Sequence, residues 1–302
     1  MGHLKTFLQA AAAAVPDLKI YEQENLDKYT SFKIGGPAEV LLQPARAEEV
    51  PVLLRLIRQA DLPLHILGGG SNLLVSDSGV PGVVLKISCG GIEMQDERTM
   101  RVGAGCQKAA AAVYAQKKGL SGLAFLHGIP GNLGGGVYMN AGAYGGELSQ
   151  VVTAVTACDR DGQILHFSAG ELGFGYRESV FKSRKELTIL SADLSLMPGD
   201  PDAIRAEMDD LMGRRREKQP LEFPSAGSTF KRPEGYFAGK LIEDCGLKGY
   251  AVGGACVSEK HAGFVINRGG ATADDVRRLI EHIKETVYRA YGVMLSCEVE
   301  MW

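Results

Sequence analysis

A chain of 302 residues, 45% hydrophobic and 23% charged with a formal net charge of −3, is too long for one small core and too evenly charged for a nucleic-acid or membrane-surface binder. No apolar run approaches the length of a membrane span. The six cysteines, at 89, 106, 158, 245, 256 and 297, show neither a C-x-x-C pair nor disulfide-scaffold density, so a cytoplasmic protein with reduced thiols, no metal site and no membrane insertion is expected.

Residues 4–15 are apolar but interrupted by Lys5 and Gln9, which predicts an N-terminal helix rather than a signal peptide. From 19 to 88 the pattern is that of a small α/β lobe, with strand 39–43, helix 47–60 and strands 64–67 and 83–87. The helix carries Val50, Leu53, Leu54 and Ile57 at helical spacing. Gly68-Gly69-Gly70-Ser71-Asn72 then leaves a strand at its carboxyl end, where open α/β sheets commonly take ligands.

A second lobe is expected over 90–197, with an alanine-rich helix at 107–118 and short strands at 153–158, 163–167 and 188–194. Inside it lies HGIPGNLGGGVYMNAGAYGGE, residues 127–147, whose glycine density predicts irregular backbone rather than helix or strand. Tandem glycines offer successive backbone amides to an anion, and two such turns could grip one long phosphate-bearing ligand. Neither turn is a Rossmann fingerprint or a P-loop. Gly239-Lys240-Leu241, the nearest approach to the latter, has neither the spacing nor the hydroxyl, which leaves a dinucleotide held in another way.

A linker helix at 203–218 ends in the basic run Arg214-Arg215-Arg216-Glu217-Lys218, which reads as a solvated helix end, and 220–224 opens a third lobe. Helix 273–290 is announced by a capping box, Thr272 with Asp275, and by the stripe Val276, Ile280, Ile283 and Val287. The last stretch, 293–301, alternates as a strand, with Val293, Leu295, Cys297, Val299 and Met301 on one face and Ser296, Glu298 and Glu300 on the other.

Five motifs follow one another: TSFKIGGPA from 30, GGGSNLLVSDSG from 68, GIPGNLGGGVYMNAGAYGGE from 128, FGYRES from 174 and AGSTFKRP from 226. In this order they resemble the UDP-N-acetylenolpyruvoylglucosamine reductases, the flavoenzymes of early peptidoglycan synthesis, from about residue 30 to the C-terminus. The resemblance implies an α+β, three-lobed oxidoreductase. Its FAD-binding region would be two-part, of the vanillyl-alcohol-oxidase/PCMH type, at 1–88 and 89–200, followed by a C-terminal α+β substrate-binding domain at 201–302. It implies non-covalent FAD, NADPH as reductant, UDP-N-acetylglucosamine enolpyruvate as substrate and UDP-N-acetylmuramate as product, in a monomer or weak oligomer.

By position in these motifs, FAD contacts are expected from Gly68, Gly69, Gly70, Ser71, Asn72, Gly131, Asn132, Gly134, Gly135, Asn140, Gly142 and Ala143. Substrate contacts are expected from Tyr176, Lys231, Arg232 and Lys240, and catalysis from Arg177, Ser228 and Glu298. The chain departs from the family pattern at Asn132, where Thr or Ser is frequent, at Gly136, where Ala is common, at Arg232, where many relatives have Asn, and at Ser296, where Glu is common.

In the resembled family NADPH reduces FAD, which passes hydride to the vinyl carbon of an enolpyruvyl ether. Hydride addition to a double bond conjugated with a carboxylate builds negative charge there, so the site needs fixed cationic or protic groups. The fork of Arg177 suits the carboxylate, Glu298 helps if it is protonated, and the Ser228 hydroxyl can give a proton to the enolate carbon. Taken singly, the three read more readily as an ion-paired surface arginine, a turn hydroxyl and a solvated glutamate. A different FAD-dependent oxidase, or a flavin-binding module without turnover, is the competing reading. His65 is the first suspect should the flavin be covalently linked.

Overall fold

The pattern at 47–60 folds as the helix Glu49–Gln59, and Val50, Leu53, Leu54 and Ile57 are all buried, so its apolar stripe is a packing face. The N-terminal helix Gly2–Ala14 likewise buries Phe7 and Ala11 one turn apart. The structure, a computed structural model, describes residues 2–302. No helix among the described residues is long and apolar enough to cross a membrane.

The chain divides into two compact units. The first comprises Met1–Glu22, Val40–Gly69 and Gly82–Gly213, and the second Gln23–Glu39, Gly70–Pro81 and Arg214–Trp302. In the first unit, strands Leu64–Leu67 and Val80–Lys86 pair in parallel, Leu64 opposite Val83 through Leu67 opposite Lys86. A five-stranded antiparallel sheet follows in the order Ile164–Ser168, Val152–Cys158, Thr188–Ser195, Thr99–Gly103, Ile92–Met94. The strands Lys19–Asn25 and Thr99–Gly103 were not legible in the sequence. The first has a polar, largely exposed edge sequence, and the second is only five residues long.

The second unit packs the helix Ala273–Tyr291 and the short helix Ala238–Asp244 with a three-stranded sheet, Ala251–Val252, Ala255–Val257 and Val265–Asn267. The stripe Val276, Ile280, Ile283 and Val287 is buried with Phe32, Phe230, Leu241 and Leu295 in one core. At the N-terminus of Ala273–Tyr291, Thr272 Oγ1 accepts the Asp275 amide at 3.0 Å, as the capping box predicts. The remaining amides find a partner the sequence did not reveal. Asp77, from the GGGSNLLVSDSG motif, accepts the amides of Ala273 (2.7 Å) and Asp274 (3.0 Å) through its two oxygens.

A carboxylate and a hydroxyl thus meet donors that a helix start otherwise leaves bare. Thr272→Ala and Asp77→Ala are each expected to lower unfolding stability by about 1 kcal/mol, read as the midpoint of a urea titration. Unchanged midpoints would show that this cap is not stabilising.

The last stretch corrects the nine-residue strand expected at 293–301, because only Glu300–Met301 pairs as a strand. Its partner is Leu73–Leu74, in parallel. Upstream, Cys297 faces Phe230 in an isolated antiparallel bridge, so the segment changes partner and direction around residue 299 and cannot form one ladder. Leu295 and Val299 are buried, whereas Met301, expected on the same face, is exposed.

Candidate active site

In the first unit the strand Leu64–Leu67 delivers Gly68 and Gly69 against the second glycine turn. A Cβ on Gly69 would lie 2.6 Å from the Gly131 Cα and 3.0 Å from the Asn132 nitrogen, so the approach requires glycine. Gly131 itself has φ +97°, and its carbonyl accepts the Lys108 amide at 3.1 Å. Asn132 Nδ2 donates to the Ile87 carbonyl at 3.2 Å, fastening the turn to the end of the Val80–Lys86 segment. The two glycine turns expected to share one ligand are in direct contact.

The stretch 127–147 is not irregular throughout, which corrects the expectation drawn from its glycine density. Leu133–Tyr138 forms a short helix packed on Thr188–Ser195. Its first amides, Leu133 and Gly134, donate to the carbonyls of Cys106 (2.8 Å) and Ala104 (2.9 Å). A Cβ on Gly134 would meet the Ala104 Cβ at 2.8 Å, so here glycine serves close backbone packing that a bulkier helix former would prevent. A Cβ on Gly136, where alanine is common, would stand 3.1 Å from both the Cδ of the buried Lys108 and the Cδ1 of Leu148. Gly135, by contrast, has nothing within 4 Å of where its Cβ would stand.

Further along, Gly142–Ala143 and Gly146–Glu147 pair as a hairpin whose two turn residues, Tyr144 and Gly145, have φ of +55° and +89°. This is the pattern of a type I′ turn. Asn140 is fully buried with φ +42°. Its Nδ2 donates to the Gly175 carbonyl at 3.0 Å and its Oδ1 accepts the Ser149 amide at 2.9 Å. Asn140 therefore ties the glycine stretch to the FGYRES motif.

In that motif Gly175 and Glu178 exchange both backbone hydrogen bonds, which leaves Tyr176 and Arg177 at the tip of a tight turn. Arg177 has φ +58°, at a turn position that glycine or asparagine ordinarily fills. A side chain there costs on the order of 1 kcal/mol and persists only where its surroundings fix it. The guanidinium lies 5.2 Å from the Tyr176 ring, and its Nη2 donates to the Gly142 carbonyl at 3.1 Å. The first unit thus brings together Asn140, Gly142, Tyr176 and Arg177.

In the second unit Gly70 has φ +59°, and a Cβ there would strike the Tyr29 carbonyl oxygen. Its carbonyl accepts the Ser31 amide at 3.0 Å, and the Ser31 hydroxyl donates to the Ser225 carbonyl at 2.6 Å, at the threshold of AGSTFKRP. Ser71 is half-buried beside it. Asn72 Nδ2 donates to the Glu298 carbonyl at 2.9 Å, and the Asn72 carbonyl accepts the Glu300 amide at 3.0 Å. Expected as a FAD contact, the Asn72 side chain here holds the backbone that carries Glu298.

Ser228 follows Gly227, which has φ +77° and nothing within 4 Å of where its Cβ would stand. The next residue, Thr229, is locked three ways. Its amide donates to the Gly263 carbonyl (2.8 Å), its hydroxyl accepts the Val265 amide (3.0 Å) and its carbonyl accepts the Glu298 amide (2.9 Å). Lys231 then donates its amide to the Ser296 carbonyl at 2.9 Å. Ser228 and Glu298, seventy residues apart, are consequently carried on neighbouring paired segments, both half-buried. Arg232 is exposed over the Phe237 ring, 4.6 Å from its centroid. Lys240 is exposed and pairs with Asp244 one helical turn on, which raises its pKa.

FAD fits these residues on the structure's own terms. The Gly68–Gly69 and Gly131–Asn132 turns meet closely enough to present backbone amides to one diphosphate, Gly135 faces open space, and the buried Nδ1 of His127, at the head of the glycine stretch, has no protein partner. Gly69→Ala is expected to part the turns and weaken FAD roughly tenfold or more, about 1.4 kcal/mol, in a fluorescence titration of the apoprotein. Parental affinity in that variant would show that the turns do not act together.

Residues 38–168 match the FAD binding domain family, which makes this a FAD-binding protein. Residues 219–302 match the UDP-N-acetylenolpyruvoylglucosamine reductase C-terminal domain. The chain is 48% identical over 276 residues to UDP-N-acetylenolpyruvoylglucosamine reductase of Clostridium novyi, covering 91% of this chain and 90% of that one. It is 48% identical over 283 residues to the enzyme of that name from Caldanaerobacter subterraneus, covering 94% and 93%. The crystal structure of UDP-N-acetylenolpyruvylglucosamine reductase from Thermus caldophilus superimposes with a TM-score of 0.78 at 34% identity, over 94% of this chain and 98% of that one. The chain belongs to the UDP-N-acetylenolpyruvoylglucosamine reductase family.

Proposed function

We propose that the protein reduces UDP-N-acetylglucosamine enolpyruvate to UDP-N-acetylmuramate with NADPH, in the cytoplasm, as a step of peptidoglycan precursor synthesis that serves cell shape and division. The proposed functional parts are 1–88 and 89–200 for FAD and 201–302 for the substrate. Bound FAD supplies the redox chemistry, carrying two electrons from NADPH to the vinyl ether. The chain's own residues then have three tasks. Arg177 grips the carboxylate on which charge builds, with a planar fork that can bind both oxygens at once. Glu298 is the third catalytic group of the set. Ser228 gives its hydroxyl proton to the enolate carbon. Lys231 and Arg232 hold the anionic parts of the substrate, and Tyr176 contacts it beside Arg177.

The observation that carries this reading is the Thr229–Glu298 backbone hydrogen bond, which sets a hydroxyl-bearing and a carboxyl-bearing segment side by side. A module that only binds flavin has no use for such a pair. Incubation with NADPH and the enolpyruvyl sugar nucleotide should yield the lactyl ether, identified by mass. NADPH oxidation without that product would overturn the assignment in favour of another FAD-dependent oxidoreductase.

The flavin is proposed to be non-covalent. His65, the first suspect for a link, lies in the strand Leu64–Leu67, half-buried, where burial lowers its pKa as in an ordinary packed imidazole. Denaturation should release all the flavin into the supernatant, and yellow colour retained in the pellet would contradict this.

A further inference from the structure

The two glycine turns supply neutral amides, whereas a dinucleotide diphosphate carries full charges. Lys86 brings a full positive charge to the same place. It closes the strand Val80–Lys86, opposite Leu67, and its Nζ donates to the Gly68 carbonyl at 3.2 Å. The next residue, Ile87, donates its amide to the Leu67 carbonyl (2.8 Å) and accepts from Asn132 Nδ2 (3.2 Å), so one dipeptide is hydrogen-bonded to both turns. Four residues on the chain before it, 82–85, are buried, and Lys86 is half-buried where that run ends. A lysine at the end of an apolar strand is usually carried out to solvent. This one turns onto a glycine carbonyl at the carboxyl end of two parallel strands, the position at which open α/β sheets take ligands.

We infer that Lys86 is a cofactor-binding residue whose ammonium contacts the diphosphate of FAD while holding the Gly68 carbonyl in place. This rests on the reading that the diphosphate lies in these two turns. An ammonium has three donors, so one bond to Gly68 and a charge-assisted bond to a phosphate oxygen are compatible. Partial burial lowers the Lys86 pKa, and a nearby phosphate would favour the charged form again, so cofactor and lysine stabilise each other.

Lys86→Gln removes the charge but keeps an N–H that can reach Gly68, and Lys86→Arg keeps the charge. Two readouts are needed: FAD affinity by fluorescence titration of the apoprotein, and the phosphorus resonances of bound FAD by NMR. The expected result is an affinity roughly tenfold or more weaker in Lys86→Gln, within about threefold of the parent in Lys86→Arg, and a displaced phosphorus resonance in the glutamine variant. Unweakened binding in Lys86→Gln overturns the inference. So does weakened binding with unmoved phosphorus resonances, because Lys86 would then act only by supporting Gly68. If the parent protein itself binds FAD with both phosphorus resonances where free FAD has them, the cradle is misplaced and the inference falls with it.

Discussion

Ser228→Ala is expected to leave the bleaching of the flavin by NADPH at its parental rate and to slow its recolouring by the enolpyruvyl substrate by about 100-fold or more, the usual effect of losing a positioned proton donor. The two steps separate because the hydroxyl has no task until negative charge reaches the substrate carbon. The structure makes the substitution a clean one. Thr229, immediately after it, is fixed through its amide, hydroxyl and carbonyl, and Gly227 before it turns in open space, so removing one oxygen from Ser228 leaves the segment's hydrogen bonds intact. Substrate affinity should change little, since Lys231, Arg232 and Arg177 remain. Rapid-mixing absorbance follows both steps. Equal slowing of the two would point to a folding or flavin-binding defect, and an unaffected second step would remove Ser228 from the chemistry.

Arg177→Lys is expected to cost on the order of 3 kcal/mol in the same second step, more than 100-fold, although the charge is kept. A lysine cannot offer two parallel hydrogen bonds to a carboxylate. The backbone supports the assignment. Arg177 occupies a left-handed turn position, held by the Gly175–Glu178 pair and by Asn140 on Gly175, and strain of that kind is retained where the surrounding structure has a use for it. Lysine meets the same backbone cost, so a rate loss in Arg177→Lys reports on the guanidinium rather than on the turn. A variant within about twofold of the parent in single-turnover recolouring would make Arg177 a surface residue.

What could be read in the sequence followed from strong local rules. The stripe of Glu49–Gln59, the capping box of Ala273–Tyr291 and the turn after Leu64–Leu67 each rest on residues that decide their own conformation. What could not be read depended on partners distant in sequence. The helix Leu133–Tyr138 exists despite three glycines because the chain at 104–106 takes its first amides and leaves no room for a side chain at Gly134. The alternation at 293–301 is genuine in its burial of Leu295 and Val299, yet pairing with Phe230 on one side of residue 299 and with Leu73–Leu74 on the other breaks the strand. Asn72 and Asp77 show the same limit within the candidate site. Both stand in a motif that reads as a ligand turn, and their side chains hold the Glu298 backbone and a helix N-terminus. Motif position could not distinguish a residue that touches a ligand from one that holds a residue that does.

In the proposed reaction one flavin passes electrons from NADPH to an enolpyruvyl sugar nucleotide. Anaerobic mixing of the purified yellow protein with one equivalent of NADPH, followed by UDP-N-acetylglucosamine enolpyruvate, tests it in a single cuvette. The visible absorption band of the oxidised flavin should bleach on the first addition and return in full on the second, with UDP-N-acetylmuramate formed in equal amount. A band that bleaches but stays bleached until air is admitted would contradict the claim.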